Sequence, residues 1–252
     1  MMQSDGAPSI TRAQAPHMKS FGKLPDLLVA FLVATFVPRL ANYAVGFFYQ
    51  PLGRFDPRGV YLPVSIHHIA QLILTVLICK LYLGTTLSDM GFNLRDRRQS
   101  LRIFAWVAVI YTIWALRIFF KDAYLLYPSD ATSVAGVLGF QALLSGTAEE
   151  PLFRALIIGI LASSWSGKVR VGKLEISSPV IIAALFFMYG HMTITFSPFR
   201  IQATFLQQLS ALVLSLVCGV TLQRTGSLLG PILIHNFTNV VVVGFSMIRA
   251  MM

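Results

Sequence analysis

The chain is poor in charge, in cysteine and in acids. Charged residues fill 12% of its 252 positions, against roughly a quarter in soluble domains, so an ordinary water-facing surface is excluded. Its two cysteines, Cys79 and Cys218, sit apart in apolar stretches with no CxxC spacing. That leaves neither a disulfide framework nor a thiolate metal site, and both read as small buried apolar side chains. There is no internal repeat, no Gly-rich phosphate loop, and no linker after the first two dozen residues. The opening tail has no apolar core before Leu24 and does not read as a signal peptide.

What the chain has instead is apolar length. Hydrophobic residues make up 56% of it, in runs long enough to cross roughly 30 Å of hydrocarbon as helices of about 20 residues. Candidate spans are 25–49, 61–84, 101–121, 133–165, 178–197, 202–223 and 227–249. The fourth is too long for one straight crossing and could be broken or re-entrant, which would make eight. The expected fold is all-α: one polytopic transmembrane bundle of seven to eight helices over residues 23–252, after a short flexible tail at 1–22 rich in Gly, Pro, Ser and Gln.

Basic residues outnumber acids 20 to 10, but their distribution argues against nucleic acid. With seven spans, one side carries Arg12, Lys19, Lys23, Arg95, Arg97, Arg98, Arg102, Lys168, Arg170, Lys173 and Arg224. The other carries Arg54, Arg58, Lys121, Arg200 and Arg249, so the count is eleven against five. The positive-inside rule then places the N-terminus in the cytoplasm, and the basic face suits the anionic headgroups of a lipid bilayer. Arg39, Lys80, Arg117 and Arg154 fall inside spans. Lys80 and Arg117, near segment ends, are expected to snorkel outward, whereas Arg39 beside Pro38 could line a cavity.

Ionisable groups in hydrocarbon cost roughly 2.5–3.5 kcal/mol each on insertion scales and usually mark function. The fourth segment reads Ser145-Gly146-Thr147-Ala148-Glu149-Glu150-Pro151-Leu152-Phe153-Arg154. On a helix Glu150 and Arg154 share a face and can pair, while Glu149 is rotated about 100° away and has no partner in its own helix. Glu149 is thus the better candidate base, with Glu150 and Arg154 as its support. A structural reading competes: Thr147-x-x-Glu150 has capping-box spacing, and Pro151 suits a helix start.

The fifth segment contributes His191 and the last contributes His235 and Asn239, four apart and therefore on one helix face. An imidazole and an amide so placed could donate to an oxyanion. They could equally complete a metal site with Glu149 and His191, since imidazole and carboxylate suit zinc. The adjacent His67 and His68 could line a cavity, but they diverge on a helix and make poor joint ligands. Thr225 to Gly230 reads as a polar, Gly-containing connector into the last helix, opened by Pro231.

At these residues the chain resembles a known family. Glu-Glu-x-x-x-Arg (Glu149, Glu150, Arg154), Phe-x-x-x-His (Phe187, His191) and His-x-x-x-Asn (His235, Asn239) stand in the order of the CPBP, or ABI, intramembrane proteases. That family includes the type II CAAX prenyl endopeptidases, and the Thr-Gly-Ser-Leu run before the last motif also looks like its members. The resemblance covers roughly residues 133–243, which would form the protease-like core.

It implies that Glu149 and His191 activate a water, that His235 and Asn239 stabilise the oxyanion, and that Glu150 and Arg154 organise the site. It also implies a membrane-anchored peptide or protein as substrate. Family members are often described as metalloproteases, which would put zinc at Glu149, His191 and His235. A water held by Glu149 and His191 needs no zinc, however, and the amide at Asn239 is a weak fourth ligand. Two other readings stand beside the protease: a non-catalytic immunity or partner-binding membrane protein of the same fold, and a transporter, which would more often show paired repeats.

Overall fold

Hydrocarbon offers the backbone no hydrogen-bond partner, so each apolar run satisfies its own N–H and C=O groups as a helix. The computed structural model describes residues 20–117, 130–197 and 199–252. Among the described residues the helices make seven rods, the lower of the two expected numbers. They are α1 (Lys23–Leu52), α2 (Leu62–Ile78, prolonged by a π turn over Cys79–Leu83), α3 (Arg97–Ala115), one long rod, α7 (Ser178–Gly190), α8 (Phe205–Thr225) and α9 (Leu229–Met251). The long rod joins α4 (Ala131–Leu143), α5 (Ser145–Glu150), a π-helical stretch over Pro151–Ile157, and α6 (Ile158–Ala162). Five of the seven are long and apolar enough to cross a membrane, and the protein is an integral membrane protein.

Contacts between segment ends fix the alternation of the rods. At one end the Trp165 indole donates to the Lys23 carbonyl (3.1 Å), Ser163 to the buried Asp26 (2.9 Å), Asn93 to the Gly226 carbonyl (3.1 Å) and Gln223 to the Glu175 carbonyl (2.8 Å). The starts of α1, α3 and α7 and the ends of α6 and α8 therefore share one side. At the opposite side Arg58, in the loop after α1, pairs with Asp130, just before α4 (2.6 Å). In that loop Asp56 accepts from the Tyr61 and Leu62 N–H groups (2.8 and 2.7 Å), tying off the start of α2. Burial alone would raise the Asp56 carboxyl, but the backbone N–H groups outweigh it and hold the group below its usual range.

The core lies around the second half of the long rod. Leu152, Leu156, Ile157, Ile158, Ile160 and Leu161 are fully buried, against Ala30 and Ala34 of α1 and Val180, Ala183 and Phe187 of α7. Small residues at those crossings let the backbones approach closely. Large apolar side chains such as Phe47, Leu81, Trp106 and Phe205 point outward, as on a surface solvated by lipid.

Three expectations change. The fourth segment runs on as one rod of consecutive helical pieces, with a single turn residue, Leu144, between α4 and α5. Pro151 has no N–H to give to the preceding turn, and the helix relaxes into wider π turns instead of ending. The capping-box reading fails with it, because the Thr147 hydroxyl donates back to the Leu143 carbonyl (2.6 Å), a mid-helix bond.

The fifth span, expected over 178–197, stops at Gly190. At about 20 Å its 13 residues fall short of a full crossing, and β3 (Thr193–Phe196) and β4 (Phe199–Gln202) follow as an antiparallel hairpin. A second hairpin, β1 (Lys168–Val171) with β2 (Leu174–Ser177), precedes α7. There Arg170 faces Glu175 in register, and its guanidinium, together with Lys168, holds that carboxyl below its ordinary range. Arg12, Lys19 and Lys121, residues 1–19 of the tail and the last four residues of the third span lie outside the described residues.

Candidate active site

Four rods deliver the polar side chains to one region. The long rod brings Glu149, Glu150 and Arg154; α9 brings His235 and Asn239; α7 ends on His191; and α2 adds His68. The closest of these crossings needs a glycine. A Cβ on Gly146 would lie 2.7 Å from the His235 Cβ and 2.8 Å from the Asn236 Oδ1. Without one, the Gly146 N–H donates to that same Asn236 oxygen at 2.6 Å.

Glu150 and Arg154 pair as their spacing requires. Arg154 Nε donates to Glu150 Oε2 at 2.9 Å, with both side chains fully buried. Glu150 Oε1 accepts from His235 Nδ1 at 2.8 Å, so Arg154, Glu150 and His235 form a chain that fixes the imidazole plane. The other nitrogen, His235 Nε2, faces Glu149 Oε2 at 3.9 Å. That separation exceeds a hydrogen bond and leaves both atoms open to a third group.

His191 is set by its own helix end. Its Nδ1 lies 2.9 Å from the Phe187 carbonyl. A carbonyl can only accept, so Nδ1 carries the proton and a neutral His191 presents Nε2 as an acceptor. The Asn239 amide donates to Ser145 Oγ at 2.9 Å, which fixes its orientation and leaves its second N–H unspent.

Glu149 does have a partner, though not in its own helix. His68 Nε2 sits 3.1 Å from Glu149 Oε1, while its Nδ1 is 2.8 Å from the Val64 carbonyl. Since Nδ1 must donate to that carbonyl, the contact with Glu149 requires one further proton, on His68 or on the carboxyl. Sequence reasoning undervalued His68 by treating it jointly with His67. The two rings do not diverge but meet edge to face at 5.1 Å; His68 is the one that contacts Glu149, packed edge-on against Phe140. A usable signal existed: His68, Gln71 and Thr75 follow helical spacing, and Gln71 and Thr75 are buried. Asn236 and Gly146 were likewise missed as partners. Arg39 does not belong here; it lies on the exposed face of α1 and donates to the Thr35 carbonyl (2.8 Å).

Two cavities reach this group. One of about 270 Å³ is lined by His68, Glu149, Ser145 and Asn239. The other, of about 410 Å³, is lined by His191, His235 and again Asn239. Asn239 is the wall between them.

Zinc would need three donors to converge. Among the described residues no three His, Cys, Asp or Glu side chains are grouped so that they could hold a metal ion, although His235 and His191 use only Nδ1 in their protein contacts and keep Nε2, the nitrogen a metal would take. The set Glu149, His191 and His235, as placed, does not fit a zinc site, and no step below passes through a metal.

No curated protein and no solved structure matches the chain. A sequence family does match, over residues 131–241, and it is described as type II CAAX prenyl endopeptidase Rce1-like. The matched stretch contains all three motifs and every site residue but His68. The segment that carries the site is therefore similar to the Rce1-like CAAX-type proteases, the similarity that the three motifs implied.

Proposed function

We propose that the protein is an intramembrane endopeptidase that hydrolyses a peptide bond of a membrane-tethered substrate, either CAAX-type or a leader or sorting peptide. The observation that carries this reading is the buried chain Arg154–Glu150–His235, which holds His235 Nε2 3.9 Å from the Glu149 carboxylate.

In the proposed reaction Glu149, helped by the free Nε2 of His191, takes a proton from water as the water oxygen bonds to the substrate carbonyl carbon. The oxyanion so formed accepts from the second Asn239 N–H and from protonated His235 Nε2. As the C–N bond breaks, the proton held by Glu149 passes to the leaving amine. Glu150 and Arg154 touch no substrate; they orient His235, and His68 orients Glu149. The N-terminus is assigned to the cytoplasm, because the side of the bundle that gathers the starts of α1, α3 and α7 carries most of the Lys and Arg residues.

The test is to incubate the purified protein with lipidated and leader peptides in ¹⁸O-water and read the products by mass spectrometry. The proposal expects one ¹⁸O in the new carboxyl terminus of the N-terminal product. Intact peptides throughout the panel would overturn it.

A further inference from the structure

One basic residue of the larger cavity has no part in this mechanism. Arg117, at the far end of α3, lines the same 410 Å³ space as His191, Gln207, His235, Asn239 and Ser246. Its position predicts a side chain that snorkels out to the membrane surface, but it turns the other way. Nη1 donates to the carbonyl of Trp114, three residues back (3.1 Å), and the guanidinium carbon lies 3.1 Å from the Trp114 ring centroid. Turning from 117 toward 114 draws the charge back along α3, to where it lines the cavity.

Among the described residues no carboxylate comes within ion-pair distance of Arg117. Stacking on Trp114 occupies a face of the guanidinium and leaves its N–H donors along the edge. A planar fork held in this way is complementary to a carboxylate, which it can bind through two parallel hydrogen bonds.

We propose that Arg117 is the carboxylate-binding residue of the substrate cavity, taking either the free C-terminus of the peptide or an acidic side chain within it. This rests on the endopeptidase reading and adds to it the part of the substrate that is gripped. Arg117 is a specificity residue in this account. It binds the peptide away from the reacting atoms.

The test uses the purified full chain in detergent and a synthetic library of apolar peptides in three forms: C-terminal acid, C-terminal amide, and amide with one internal aspartate. Retained and cleaved peptides are both read by mass spectrometry. A charge-assisted pair contributes about 1.5–3 kcal/mol, so retention of a carboxylate-bearing form over the plain amide is expected to be about tenfold or more. That preference should vanish in Arg117→Gln and persist in Arg39→Gln, whose residue lies on the outer face of α1. Preference for the acid assigns the C-terminus, and preference for the aspartate form assigns a side chain.

Equal retention of all three forms, no retention of any, or a preference unchanged in Arg117→Gln overturns the inference. Cleavage without a preference would leave the endopeptidase reading standing, whereas preference without cleavage would remove that reading and keep the carboxylate site.

Discussion

Arg154 and Glu150 are buried together with no access to water, so removing one charge strands the other. Losing one partner of such a pair costs about 3–5 kcal/mol. Arg154→Ala is therefore expected to lower the melting temperature in detergent and the yield of folded protein, besides releasing His235 from its fixed plane. An unchanged melting curve would show that the pair carries no structural role.

The neighbouring histidines make a sharper contrast. His68→Gln removes the imidazole beside Glu149 and should lower turnover about 10²-fold, at the low end for groups that assist proton transfer. His67→Gln should leave turnover near wild type, and equal losses in the two would deny His68 its special place. The Glu150–Arg154 pair was legible because it is local, four residues on one helix. The His68–Glu149 contact spans 81 residues, and no periodicity within α2 names its partner.

At the level of elements, the crossing of α5 and α9 depends on Gly146. A methyl group there meets His235 and Asn236 at distances that force one rod to shift. Gly146→Ala is expected to cost about 1–3 kcal/mol through overpacking and to reduce activity with it. Gly139→Ala is the control: a Cβ at that α4 position meets nothing within 4 Å, and helix propensity favours alanine by up to about 1 kcal/mol. Thermal unfolding of the two variants should move in opposite directions.

Six of the seven rods were legible from apolar length, although residues 118–121 of the third fall outside the described ones. The exception, α7 with its hairpin, has an instructive cause. Thr193-Ile194-Thr195-Phe196 and Phe199-Arg200-Ile201-Gln202 are as apolar as a helix end, but they are β-branched and aromatic around Ser197-Pro198, which is a hairpin composition. Hydropathy alone cannot separate the two. The Pro151 turn is the converse case, where a helix breaker in the sequence is absorbed by π turns in the middle of a rod.

For the whole molecule, the rods alternate so that the β1–β2 turn and the Arg58 loop lie on opposite sides. Cys79 and Cys218 are both buried, so an impermeant maleimide should leave the native chain unlabelled. Lys173→Cys is expected to label only from the cytoplasmic side of sealed vesicles and Arg58→Cys only from the other. The reverse pattern would invert the orientation, and labelling of both from one side would break the seven-rod topology.

The account as a whole depends on Glu149 as the base, set between His68 and His235 and free of the buried ion pair. The most direct measurement compares purified wild type and Glu149→Gln on a peptide that the wild type cleaves, with thermal unfolding recorded on the same samples. Turnover is predicted to fall at least about 10²-fold while the melting temperature stays close to wild type. A Glu149→Gln protein that folds and cleaves at the wild-type rate would contradict the account at its centre.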